Sequence, residues 1–140
     1  MEVHAAVVRE LEGRGHEVTL FGSFESGEEV EWAPATAAAA RSVVEGRCDE
    51  AVLLCWSGTG ASIAANKLPG IRAALCWDAE TAKLARVWNH ANAICLPNRC
   101  LDEALVVEIL SAWFDTPEGE KGSAGVALLD EVDAANRGEG

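Results

Sequence analysis

The chain has 140 residues, 49% of them hydrophobic and 24% charged, enough for one globular domain with a real core. Its net charge of −12 argues against partners that are themselves polyanions, whether nucleic acid or an anionic membrane surface. No apolar run approaches the ~20 residues of a membrane span, and the opening MEVHAAVVRELEGRGHE lacks the layout of a signal peptide.

In chain order, Val3, Val7 and Leu11 sit at helical spacing, and Gly13 and Gly15 stop that helix. Residues 17–21 (EVTLF) read as a strand and 22–31 as a polar Gly/Glu loop. The acidic stretch 25–31 (ESGEEVE), like the acidic C-terminal part, reads as solvated surface. An Ala-rich helix over 34–46 follows, with Pro34 in its first turn. Residues 50–55 (EAVLLC) are a buried strand. A helix over 60–67 ends at Pro69-Gly70. Residues 71–76 (IRAALC) are a strand, 79–88 a helix and 92–96 (NAICL) a short strand. Leu101, Leu105, Ile109 and Trp113 mark an amphipathic helix over 101–114. A loop over 116–125 and a short final helix over 126–136 complete the chain.

Continuous apolar strands alternating with helices predict an α/β fold, a parallel sheet of four strands covered on both faces. There are no internal repeats. Chains of this class usually open with a strand that lies mid-sheet, whereas this one opens with a helix. Either the sheet has four strands only, or one is absent from the chain, leaving two strand edges unpaired.

The five cysteines form no CxxC pair and no zinc spacing, so no metal site is expected, and the thiols read as reduced in a cytoplasmic protein. One of them stands out. In LLCWSGTGASIAANK (53–67), Cys55 ends a strand, Ser57, Gly58, Thr59 and Gly60 make a turn, and a helix begins near Ala61. In a parallel sheet, ligands sit beyond the carboxyl ends of the strands. Free N–H groups at that turn suit an anion, and a thiol beside them suits a base or nucleophile. The plainer alternative, an inert buried cysteine, fits Cys76 and Cys95 better. A dinucleotide reading also exists: Gly58 and Gly60 occupy the first two positions of GxGxxG, and Asp78 lies about 20 residues on. Its third position is Ile63, too bulky for close helix–strand packing, and no GK[ST] follows for a P-loop.

The string GTGASIAANKLPGIRAALCWDAETAKLAR (58–86) followed by WNHANAICLPNR (88–99) resembles the type B ribose-5-phosphate isomerases and the related galactose-6-phosphate isomerase subunits. The likeness runs from about Val3 to Trp113 and fades in the tail. It implies a Rossmann-like three-layer α/β/α sandwich over residues 1–116, with a loop, short helix and tail over 117–140. It implies an aldose–ketose isomerase acting on a small sugar phosphate, without metal or organic cofactor, by proton transfer through an enediolate. The partner it implies is a second subunit, as a homodimer, a tetramer or a heteromer, with sites built across the interface.

By that resemblance Cys55 is the base and Ser57 the hydroxyl that assists ring opening. Gly58, Gly60 and Ser62 belong to the oxyanion turn, Thr59 is counted among the substrate-binding residues, Asn89 contacts sugar hydroxyls and Arg99 binds phosphate. Trp32 stands where relatives often carry Tyr. Trp56 replaces a Gly, and Trp88 replaces a ring-opening His; both add flat apolar surface on which a sugar stacks, although Trp88 also suits a core position. His90 stands close to the lost His. Trp77 suits either core or site, and Trp113 the core. A tail Arg-His-x-x-Arg clamp is replaced by EKGSAGV, with Lys121 the nearest cation. A Glu used as base by some relatives is Ala61 here, leaving Cys55 as the candidate base at this turn. Relatives begin with a strand ending in Asp-His, and this chain begins just after that point: either its start is placed too late, or a partner supplies the strand. The departures leave a second reading open, a catalytically silent homologue that binds a sugar or serves as one subunit of a heteromer.

Overall fold

The computed structural model describes residues 2–137. Its elements are α1 (Val3–Gly13), α2 (Ser23–Ser26), α3 (Trp32–Val44), β1 (Ala51–Cys55), α4 (Thr59–Ala65), β2 (Ala73–Leu75), α5 (Ala79–Asn89), β3 (Ala93–Pro97), α6 (Glu103–Asp115) and α7 (Ser123–Ala135). A single 3-10 turn, Asn98–Cys100, follows β3. Two helices start where a side chain takes a free amide: Asp78 accepts from Thr81 N–H at 2.8 Å and Asp102 from Leu105 N–H at 2.9 Å.

The sheet is parallel, in the order β1-β3-β2, with Ala51 opposite Ala93 and Cys55 opposite Pro97. Strand β3 lies in the middle and all five of its residues are buried. That position is why its sequence runs apolar without alternation.

The pleat sends alternate residues to two cores. Ile94 and Leu96 of β3 join α1, α5 and α6 through Val7, Leu11, Ala82, Val106, Leu110 and Trp113. Ala93 and Cys95 join α3 and α4 through Ala40, Ala61 and Ala65. The result is three layers, helix on sheet on helix, as expected. Trp113 is fully buried, and its Nε1–H donates to Glu50 Oε1 at 3.0 Å. Arg86 completes the cluster, 2.6 Å from Glu50 Oε2 and stacked over the indole at 4.6 Å. Helix α7 packs on α5: Gly122 lies so close to the Val87 and Trp88 carbonyls that a Cβ would stand 2.5 Å and 2.6 Å from their oxygens.

One expected strand is not there. Residues 17–21 (EVTLF) carry the right residue types, yet the described sheet has three strands, not four. Among the described residues, no backbone–backbone hydrogen bond involves Glu17–Phe21. Between this segment and β1 lies a groove of about 520 Å³, so it has no ladder to join. A strand is made by its neighbour, and composition alone does not supply one. The 22–31 loop contains the short helix α2, closed by Gly27 in the left-handed region at φ 76°.

Candidate functional site

The loops after β1, β2 and β3 meet at the carboxyl end of the sheet. The register that sets Cys55 beside Pro97 brings the β1 turn against the turn after β3. Arg99 N–H donates to the Trp56 carbonyl at 3.0 Å and ties the two together.

Cys55 is half-buried at its strand tip, and the Gly58 N–H donates to its sulfur at 3.1 Å. Gly58 adopts φ 78°, and a Cβ there would stand 2.4 Å from Leu75 Cδ1 and 3.4 Å from Pro97 N. Glycine is therefore favoured by conformation, and any side chain there would also have to displace the Leu75 methyl. Beyond it, the amides of Thr59, Gly60 and Ala61 have no hydrogen-bond acceptor among the described residues. Ser57 and Thr59 share a hydroxyl–hydroxyl bond of 2.7 Å. The Trp32 ring lies on Gly60, where a Cβ would come 3.0 Å from Cζ3. Trp56 and Trp32 stay open to solvent, at 73% and 54% exposure.

A cavity of about 360 Å³ adjoins the turn, lined by Ser57, Leu75, Trp77, Pro97, Arg99 and Cys100. Trp77 belongs to this wall rather than to the core, and Cys100 was not anticipated. The rule that all loops after parallel strands open to one end carries the signal for both, since Trp77 follows β2 and Cys100 follows β3.

The other two strand cysteines are different. Burial pushes the Cys76 thiol up to about 12, with Asp78's charge adding to it. Burial also pushes Cys95 up to about 12, against a small opposing effect of the Ser62 hydroxyl. Both stay neutral thiols at physiological pH. Ser62 thus faces the sheet at Cys95, one turn past the free amides.

Trp88 and Asn89 do not reach this place within one chain. Helix α5 leaves the carboxyl end after β2 and runs back, so its last residues arrive at the amino edge of the sheet. There His90 takes the left-handed conformation at φ 47°, and its carbonyl accepts from Arg72 Nε at 2.8 Å. Trp88 is exposed and holds no core position. Their sequence nearness to β3 is misleading because the helix carries them the length of the sheet. His90 shares that end and, in the same chain, is no stand-in for a ring-opening group at Cys55.

A parallel sheet whose strand tips carry a thiol, a glycine turn with free amides and an arginine defines a class of α/β protein with a small-molecule site at the strand carboxyl ends. The family model for Ribose/Galactose Isomerase matches residues 1–128. Ribose-5-P isomerase B of Listeria innocua is 34% identical over 137 residues, covering 97% of this chain and 92% of that protein. D-erythrulose-4-phosphate isomerase of Pectobacterium atrosepticum is 36% identical, covering 81% of this chain and 75% of that protein. Among solved structures, the Clostridium thermocellum ribose-5-phosphate isomerase B superposes with TM-score 0.88 at 32% identity, covering 96% of this chain and 90% of that one. The chain belongs to the ribose/galactose isomerase family of sugar-phosphate isomerases. Among the described residues, no helix is long and apolar enough to cross a membrane.

Proposed function

We propose that the protein interconverts an aldose and a ketose phosphate, small and ribose-5-phosphate-like, by proton transfer through an enediolate with Cys55 as base. The observation that carries this reading is the Gly58 N–H on the Cys55 sulfur, beside three free amides. An N–H directed at sulfur stabilises the anion that must take the proton.

In the proposed step the open-chain aldose places C2 against the sulfur. Cys55 thiolate removes the C2 proton; the electron pair forms the C1–C2 double bond, and the carbonyl oxygen at C1 takes the negative charge. The amides of Thr59, Gly60 and Ala61 hold that oxygen. The C2 hydroxyl proton then passes to the C1 oxygen, the C2–O bond becomes the ketone carbonyl, and the C1–C2 double-bond electrons take the proton back from the Cys55 thiol at C1, so atoms and charge balance without a cofactor. Ser57, paired with Thr59, serves ring opening, and Arg99 at the cavity wall serves the phosphate. Trp32 and Trp56 offer flat faces to the sugar.

Trp88 and Asn89 enter this scheme only from another subunit, because their own α5 holds them at the opposite end of the sheet. A homodimer that sets the α5 C-terminus of one copy over the Gly58 turn of the other completes the site. The distant position of these two residues equally supports the second reading, a subunit of a heteromer or a silent sugar binder. A cytoplasmic enzyme of carbohydrate metabolism is the setting the family members suggest.

The test is a coupled assay on ribose-5-phosphate and a panel of aldose and ketose phosphates, with wild type and Cys55→Ala. Loss of a proton-transfer group is expected to lower kcat by roughly 10²–10⁴-fold with folding intact. Unchanged turnover in the variant refutes the thiol as base. Tight sugar-phosphate binding without turnover by wild type selects the silent reading.

A further inference from the structure

Trp77 is 53% exposed at the tip of β2, although an indole is ordinarily hidden. It forms a wall of the cavity beside the Cys55 turn, with Leu75 and Pro97 as further apolar surface. The other two groups there add little free polarity. The Cys100 thiol is turned onto the Pro97 carbonyl at 3.5 Å, and the Ser57 hydroxyl is paired with Thr59 at 2.7 Å. Cys55 is not part of this wall, so the cavity lies beside the reacting centre rather than over it.

Its charge is equally particular. Among the described residues lining the cavity, Arg99 alone is charged. The arginine is exposed, and among the described residues no carboxylate pairs with it. Acids stand at the same end of the sheet. Asp78 follows Trp77, and hydrogen bonds from the Thr81 hydroxyl and N–H hold its carboxyl below the ordinary carboxylate range. Asp102 caps α6 three residues after Arg99. A phosphate monoester carries nearly two negative charges at neutral pH. One guanidinium leaves much of that charge unmatched, and the two aspartates repel it. A phosphodiester carries one negative charge, which Arg99 matches.

Size completes the picture. At about 360 Å³ the cavity has the room of about twelve waters, at ~30 Å³ each. A phosphoryl group on Arg99 fills only part of it. The rest is the space between Leu75, Trp77 and Pro97.

We infer that this cavity is a subsite for a flat ring esterified to the sugar's phosphate, so that the substrate class is an aldose phosphodiester with its single charge on Arg99 and its aryl or heteroaryl group stacked on Trp77. The inference rests on the proposed isomerase reading, with Arg99 at the phosphate, and narrows its substrate. The sulfur and the amides of Thr59, Gly60 and Ala61 take C1 and C2 of the sugar, so the phosphate on Arg99 is at the far end of the carbon chain. An ester there leaves the C1 aldehyde free, and the proton transfer is unchanged. A ring stacked on the indole adds affinity beyond the area it buries.

The test is calorimetric titration of the 140-residue protein with ribose-5-phosphate, its phosphate methyl ester and its phosphate phenyl ester. The methyl ester changes the charge, and the phenyl ester adds the ring. The phenyl ester is expected to bind about three- to tenfold more tightly than the methyl ester. Trp77→Ala should remove that difference and Trp77→Phe should keep most of it, with circular dichroism showing both variants folded. Equal affinity for the two esters, no measurable binding of the phenyl ester, or a preference that survives Trp77→Ala overturns the subsite. Ribose-5-phosphate binding at least tenfold more tightly than the methyl ester overturns the charge match. Turnover is read separately: a phenyl ester that binds as expected while none of the three probes is isomerised sinks the isomerase reading and leaves the ring subsite standing.

Discussion

Replacing Gly58 by Ala tests the turn that holds the candidate base. Two costs add. At φ 78° an L-residue pays the left-handed penalty, about 1–2 kcal/mol. The new Cβ would meet Leu75 Cδ1 at 2.4 Å and Pro97 N at 3.4 Å. Pro97 N stands at ordinary contact distance, so the group that must give way is the Leu75 methyl, and repacking it costs up to about 1–3 kcal/mol. The sum is roughly 2–5 kcal/mol. At about 2.1 cal/mol/K per residue, 140 residues give about 3.4 °C per kcal/mol, so the melting temperature should fall by ~7–17 °C. Gly46→Ala is the control: φ is 77° there, but nothing lies within 4 Å of the added Cβ, so conformational strain alone remains. Calorimetry on the two variants separates the terms. Equal melting temperatures would falsify the claim that space, beyond backbone conformation, disfavours a side chain at Gly58.

Glu50→Gln keeps a hydrogen bond to Trp113 but removes the charge facing Arg86, whose side chain is 13% exposed. Because Glu50 is partly wet, the loss should be about 1–3 kcal/mol, below that of a fully buried pair, read by urea unfolding. At pH 8, iodoacetamide should alkylate Cys55 and Cys100 in the native protein and spare Cys76 and Cys95 until unfolding, as mass mapping would show. Since both buried thiols are raised from 9.0 to about 12, the unfolded chain ionises first. Stability is therefore full below pH 9 and falls as pH rises toward 12; a flat melting temperature across that window contradicts their burial. Arg99→Ala should raise KM for a phosphorylated substrate about tenfold to 100-fold, the worth of a charge-assisted hydrogen bond, with little change in kcat. An unchanged KM removes Arg99 from phosphate binding.

Much of this protein is written locally. Apolar runs at 51–55 and 93–97, the capping aspartates Asp78 and Asp102, and the helix stops mark their elements because each signal lies within a turn or two of the backbone it controls. The Cys55–Gly60 turn is legible for the same reason: thiol, hydroxyls and glycines are consecutive. What the sequence could not settle depends on distant contacts. EVTLF has strand residues but no partner edge, and pairing is a property of two segments. Cys76 and Cys95 already fit inert buried thiols better than Cys55 does, but only the two helical layers close over them completely and leave Cys55 at the rim. Trp77 and Cys100 join the site because β2 and β3 end on the same side. Trp88 and Asn89 leave it because a helix of 11 residues carries them to the other end. Local chemistry thus determined which reactive groups the chain carries, while the packing of helices on a three-stranded sheet decided which of them meet, since only long-range contacts fix the end and face on which each residue emerges.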